Sequence, residues 1–352
     1  MMRRTLIKCG VAGVMVLTLV SGYIFGCTES LAAAPIKPIE LKLATHMPSM
    51  HFYVKTILVP FTKEVEKRTN GKVKITIYDS GTLGKVSELY DVITNRTVDI
   101  AVVQPGQAAR PFKMQEVFYV PYLIPAGMAD PVGSEIRDKL FEKYLSPIEF
   151  KDVRVLWTAR WEPLDLMTTK KPVRTVADAQ GLTVGITGGK ASSEFLKVMG
   201  ASPEQVRMTE MYTALERGMV DGVLMAGEPL LSFKFTEVVK YVTHLGLPSS
   251  VFFGGMNHQS FNNLPADVQK VIVDLVPWME NLQNQQFTAR EQMILKTSKA
   301  KGVEFIELSQ KDHDNLFKNS KHIEDMWLAE MEKLRLPGKE MLADVYKIRG
   351  PK

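Results

Sequence analysis

Cysteine is nearly missing from this chain: only Cys9 and Cys27 occur among 352 residues. Both fall in an amino-terminal stretch that reads as a removable export signal. The exported body then carries no thiol, and so no disulfide, no thiolate metal site and no cysteine nucleophile. Blocks of like charge are missing as well. The 44 Lys and Arg stand against 39 Asp and Glu without a basic run, which argues against nucleic acid as a partner. Internal repeats and low-complexity segments are absent, and the one long apolar run, Val11–Phe25, is short for a membrane span. A disordered, collagenous or multi-span membrane protein is excluded by 45% hydrophobic and 24% charged residues.

Catalytic signatures are missing too. No serine sits in a G-x-S-x-G elbow. "GITGGKAS" lacks the first glycine and the final Ser/Thr of a phosphate loop, because Val184 and Ala191 stand there. His46 and His51 are five apart with no glutamate on a zinc-helix spacing, so no metal site is expected. No nucleophile–base constellation emerges. The chain reads as a protein without catalysis and without a cofactor.

The sequence does hold a basic "MMRRTLIK", the apolar Val11–Phe25 and then "GCTESLAAAP", the three-part layout of a secretory signal. Cleavage after Ala33 makes residues 1–33 the signal peptide. Removing Arg3, Arg4, Lys8 and Glu29 lowers the net charge of +5 by two, to +3. Cys27, after Ile24-Phe25-Gly26, loosely fits a lipoprotein box, so a lipid anchor at Cys27 is the alternative to a soluble periplasmic form.

Strands and helices alternate from the start of the body. "IELKLATH" reads as a strand ending in a loop, the following residues as a helix, "VKITIY" as a period-2 strand and "DIAVV" as a buried strand. This pattern predicts an α/β fold with a mostly parallel sheet, in which ligands sit beyond the carboxyl ends of the strands. His46, the Gly81–Lys85 loop and Gln104 lie there. A second α/β segment begins near "DVRVLWTARW", and "YVTHLGL" with "SSVFFGGMN" leads back out. Two lobes joined by crossing strands are therefore expected, with a cleft between them. Leu264 to about Lys301 reads as a helix kinked at Pro277, roughly 55 Å long and able to brace both lobes. Trp157 and Trp161 flank Arg160; core tryptophans are the plain reading, an aromatic face beside a carboxylate-binding cation the functional one. Gly185, inside the strand "GLTVGIT", is unusual because glycine packs nothing there.

Several stretches together resemble the DctP-type substrate-binding proteins of TRAP (tripartite ATP-independent periplasmic) transporters. They are "NGKVKITIYDSGTLGKVSELYDVITNRTVDIAVV", "KKPVRTVADAQGLTVGI", "VMGASPEQVRMTEMYTALERGMVDGVLMAG" and "NNLPADVQKVI", in the family's order. The resemblance implies a two-lobed periplasmic-binding-protein fold: 38–160 plus 250–288 as one lobe, 161–249 plus 289–352 as the other, with the long helix across both. It also implies capture of a small organic acid and delivery to the membrane subunits of a TRAP permease. A sensor presenting its closed form to a membrane receptor is the alternative. Most members carry an arginine where this chain has Gly185, and sugar-acid binders a second where Leu164 falls; a commonly polar position falls on Met225. The ligand is therefore expected to be larger and less polar than a C4-dicarboxylate, aromatic for example, stacked on Trp161 and paired with Arg160. His46, Gln104, Lys85, Met208 and Asn257 match further pocket positions.

Overall fold

The computed structural model describes residues 38–127 and 129–350. The expected signal peptide and Cys27 lie outside the described residues. Two sheets organise the rest. The first has the order β2-β1-β3-β10-β4, from β1 (Ile39–Ala44), β2 (Val73–Tyr78), β3 (Ile100–Val103), β4 (Val153–Arg160) and β10 (Val251–Asn257). The second has the order β11-β9-β5-β8-β6-β7, from β5 (Leu164–Thr168), β6 (Thr183–Ile186), β7 (Ser202–Gln205), β8 (Gly222–Met225), β9 (Tyr241–Leu247) and β11 (Glu304–Glu307). The helices are α1 (Val59–Arg68), α2 (Leu89–Thr94), α3 (Pro131–Leu140), α4 (Lys190–Val198), α5 (Met208–Glu216) and α6 (Pro229–Ser232). They continue as α7 (His258–Asn262), α8 (Ala266–Asp274), α9 (Val276–Ala300), α10 (Gln310–Leu334) and α11 (Gly338–Arg349).

Period-2 alternation gives each sheet two apolar faces. Leu41, Leu43, Ile100 and Val102 enter one core, and Ala44, Ala101 and Val103 enter the core on the opposite face. In the second sheet Leu166, Val184, Ile186 and Leu224 face one core and Met167 and Val223 the other. Strands buried on both faces read as nearly continuous apolar runs, and helices must cover both sides.

The sheets are mixed rather than mostly parallel. β1 pairs in parallel with β2 and β3, but β10 runs antiparallel to β3 and β4. β5 is likewise antiparallel to β8 and β9. These are the two strands that enter from the other sheet. Residues 161–163 link β4 to β5 and residues 248–250 link β9 to β10, so each incoming strand starts at a carboxyl edge and runs backwards.

The predicted long helix breaks at Leu275, with Pro277 in the first turn of α9, where a proline lacks nothing it needs. A buried polar chain fastens α9 to the first sheet. Trp157 Nε1 donates to Tyr53 Oη at 3.0 Å, Tyr53 Oη to Gln283 Oε1 at 2.9 Å, and Gln283 Nε2 to the Thr158 carbonyl at 3.3 Å. The tail serves both halves. Leu316 and Ile323 of α10 pack in the second sheet's core, whereas Trp327, Met331, Met341, Leu342 and Val345 pack with α3 in the first. The end of the chain therefore packs with the first sheet, although 289–352 is expected in the second lobe.

Candidate functional site

The strand register defines one edge in each sheet. Ala44 lies beside Ala101 and Val251 beside Arg160, so His46, Gln104, Arg160 and Trp161 leave the first sheet at the same end. In the second sheet Asp165 pairs with Met225 and Leu164 with Leu247, which puts Leu164 and Met225 at one end. The crossovers at 161–163 and 248–250 join these two ends, and the Trp161 amide donates to the Ser250 carbonyl at 3.1 Å to tie the crossovers together.

His46 is half-buried, and its Nδ1 is shielded from water without a hydrogen-bond partner. Burial pushes its pKa down to about 4. His51 falls to about 4 as well, through burial and then through the nearby His46 and Arg290. Both imidazoles are thus neutral at pH 7, because an uncompensated charge is poorly tolerated away from water. Gln104 is buried and accepts from Gln107 Nε2 at 2.7 Å. Trp161 stacks on Phe252 at 4.6 Å between ring centroids and meets Phe52, Tyr53 and Phe287 edge-on. One indole face is therefore committed to the protein's own aromatic cluster. Lys85 is exposed, and Met208 is half-buried at the start of α5.

Three expectations need correction. Arg160 is not a free cation: only 4% exposed, it donates Nη1 to the Pro125 carbonyl and Nη2 to the Gly127 carbonyl at 2.5 Å. A Cβ on Gly133 of α3 would lie 2.5 Å from its guanidinium, so glycine is what lets the helix approach. Burial and neighbouring Arg137 hold Arg160 down at about 10. Asn257 lies at the opposite end of the first sheet, since antiparallel β10 carries it away from Gln104. There its Oδ1 caps α7 by accepting from the Gln259 and Ser260 amides, and its Nδ2 donates to the Ile93 carbonyl. Gly185 does not leave an open space: a Cβ there would lie 2.8 Å from Met211 Sδ, which fills the position from α5.

The structure adds residues that the sequence reading missed. Glu162, mid-crossover, is 4% exposed, and its carboxyl oxygens have no partner beyond the residue's own amide. Burial raises its pKa to about 8, with nearby Glu228 next in effect. Ser249, on the other crossover, is buried with its Oγ unpartnered. Arg290 of α9 grips Glu228 with Nε and Nη2 at 2.7–2.9 Å, and its guanidinium lies 5.5 Å from the Phe52 ring. It therefore touches both halves. The available signal was "RWEP", a charged residue in a three-residue link; "ARE" on α9 reads as an ordinary solvated helix face. Among the described residues no group of three His, Cys, Asp or Glu is placed to hold a metal ion.

This architecture, two α/β halves joined edge to edge by crossing strands, is that of a two-lobed binding protein. The chain belongs to the bacterial extracellular solute-binding protein family 7 (DctP), which it matches over residues 43–330. It is 25% identical over 276 residues to the 2,3-diketo-L-gulonate-binding periplasmic protein YiaO of Escherichia coli, covering 77% of this chain and 82% of that one. A TRAP solute-binding protein of Desulfovibrio salexigens superposes with a TM-score of 0.79 at 28% identity, over 89% of this chain and 96% of its own. One from Bordetella bronchiseptica, with bound (R)- and (S)-mandelate, gives 0.73 at 25%, over 89% and 99%. The chain is a TRAP-type solute-binding protein, not an enzyme.

Proposed function

We propose that this protein captures a small organic acid of aromatic or otherwise apolar character between its two carboxyl edges and delivers it from the periplasm to a TRAP permease. The observation that carries the reading is the edge-to-edge junction at 161–163 and 248–250, where His46, Gln104, Trp161, Leu164 and Met225 come from separate strands. Leu164 and Met225 are half-buried apolar residues on the second edge, and Trp161 is half-buried on the first. Such a lining favours burial of a ring or alkyl body. Mandelate in the Bordetella relative is an acid of this kind.

The lobes are 38–160 with 250–288, and 161–249 with 289 to about 325; α11 goes with the first. Ligand touching both edges would stabilise the closed arrangement, with the crossovers as hinges and Arg290 as a link across them. Closure is then the signal that the permease reads. Cleavage after Ala33 gives a soluble periplasmic form, and lipidation of Cys27 a tethered one; the mass of the mature amino terminus separates the two.

Native mass spectrometry of the purified mature protein, followed by release of any retained molecule, tests the reading. An aromatic or apolar acid supports it. A short polar dicarboxylate, or an uncharged sugar, would overturn it.

A further inference from the structure

Among the described residues, neither Arg160 nor Arg290 at the joined edges has the tip of its guanidinium free to meet a ligand carboxylate. Arg160 is spent on two backbone carbonyls and Arg290 on Glu228. Lys85 and Lys190 are exposed at the ends of their loops. What the junction does contain is four polar side-chain groups shut away from water without a partner in another residue: the Glu162 carboxyl, Ser249 Oγ, His46 Nδ1 and Arg160 Nε. Glu162 and Ser249 sit on the two crossovers, on either side of the Trp161–Ser250 hydrogen bond. Buried polar groups in a native structure are normally paired, and those that are not call for a missing partner.

We propose that Glu162 is the contact for the ligand's carboxylate, donating the hydrogen of its carboxylic acid to a carboxylate oxygen, and that the site therefore takes monocarboxylic acids and rejects dicarboxylates. This rests on the organic-acid reading above and refines it. An O–H donating to a carboxylate is a short, charge-assisted bond and can stand in for an arginine without bringing a charge. Nearby charges set the limit on the ligand. Glu228, from the loop after β8, and Arg290 and Glu291, from α9, face Glu162. Asp165 of β5 acts on Glu291 and is itself bound to His244 Nδ1 at 2.9 Å. His51 lies close to Arg290. Arg290 balances Glu228 and His244 pairs with Asp165, which leaves Glu291 as the acidic neighbour that disfavours a second anionic group. Burial that keeps Glu162 protonated up to about pH 8 supplies the proton under neutral conditions.

The test is calorimetric titration of the mature protein with (R)-mandelate and with succinate from pH 6 to 9.5, on wild type, Glu162→Gln and Glu162→Ala, with a thermal melt of each variant as a folding check. Mandelate should bind with constant affinity below pH 8 and weaken by about tenfold per pH unit above it, as the donor ionises. Glu162→Gln keeps an N–H donor, so it should bind mandelate with a flat pH profile, and Glu162→Ala should lose at least about tenfold. Succinate should bind more weakly than mandelate throughout. A flat wild-type profile, succinate binding as tightly as mandelate, or full affinity in Glu162→Ala would overturn the role of Glu162 while leaving organic-acid capture standing. If neither these acids nor any co-purifying acid binds at any pH, both readings fall.

Discussion

The two sides of the segment 157–162 are finished in opposite ways. On one side Trp157, Tyr53, Gln283 and the Thr158 carbonyl form an unbroken hydrogen-bonded chain inside an aromatic core. On the other side, five residues on, Glu162 is as deeply buried and has no partner. Satisfied buried polar groups hold one arrangement rigidly, whereas an unsatisfied one destabilises the resting state until something else bonds to it. The first region therefore reads as frame and the second as the proposed site. Arg160 and Arg290 repeat the contrast: the former is locked onto a loop of its own half, the latter holds Glu228 and lies against Phe52 of the other half.

If the frame is what holds α9 on the first sheet, its loss should cost most. Trp157→Ala should remove about 3–5 kcal/mol of stability, measured by denaturant unfolding, because a fully buried indole and its hydrogen bond go together. A loss below about 1 kcal/mol would mean that the chain is not the frame.

Acid should act on the histidines next. His46 and His51 are held down at about 4 against an ordinary value near 6.5. Their native state binds fewer protons than the unfolded chain in that window. Stability should thus be intact above pH 6.5 and fall, by a few kcal/mol, as pH drops towards 4. Melts of His46→Gln should show a shallower acid limb, and an unchanged limb would remove His46 from the account.

Glu162 should act in the opposite sense. Its pKa is raised from 4.5 to about 8 by burial, so the folded chain holds the proton longer than the unfolded one. The stability it permits is fully present below about pH 4.5 and is lost as pH rises to about 8. Glu162→Gln should accordingly raise stability at pH 8 by about 1–3 kcal/mol and leave it little changed at pH 4.5. Equal effects at both pH values would contradict a buried, neutral carboxyl.

Gly185→Ala sharpens the smallest contrast. The new methyl meets a flexible Met211 thioether in an otherwise closed core, so a cost of about 1 kcal/mol is expected from urea unfolding. A gain in stability would mean that the position is open after all.

Much of the architecture was legible in the chain. The alternating run "VKITIY" buries one face and exposes the other, the continuous run "IAVV" is buried on both, and short links such as Trp161-Glu162-Pro163 leave no room for a covering helix, so the crossings could be read. The proposed site was legible only in part. His46, Gln104, Leu164 and Met225 stand at strand ends, and strand ends follow from the pattern of apolar residues. Asn257 also stands at a strand end, but which end of the sheet it occupies depends on the direction of β10, and that is decided by pairing rather than by sequence.

The sequence by itself determined the alternation of strands and helices, the absence of thiols and of catalytic motifs, and the two-lobed plan, because hydrophobic period and composition are local properties. Only the tertiary structure decided which charges are free. Arg160 and Glu162 are two residues apart and equally hidden from water, yet one found two carbonyls on a distant loop and the other no partner beyond its own amide. Desolvation and hydrogen bonding are set by what the rest of the chain brings alongside, and no neighbour in sequence carries that information.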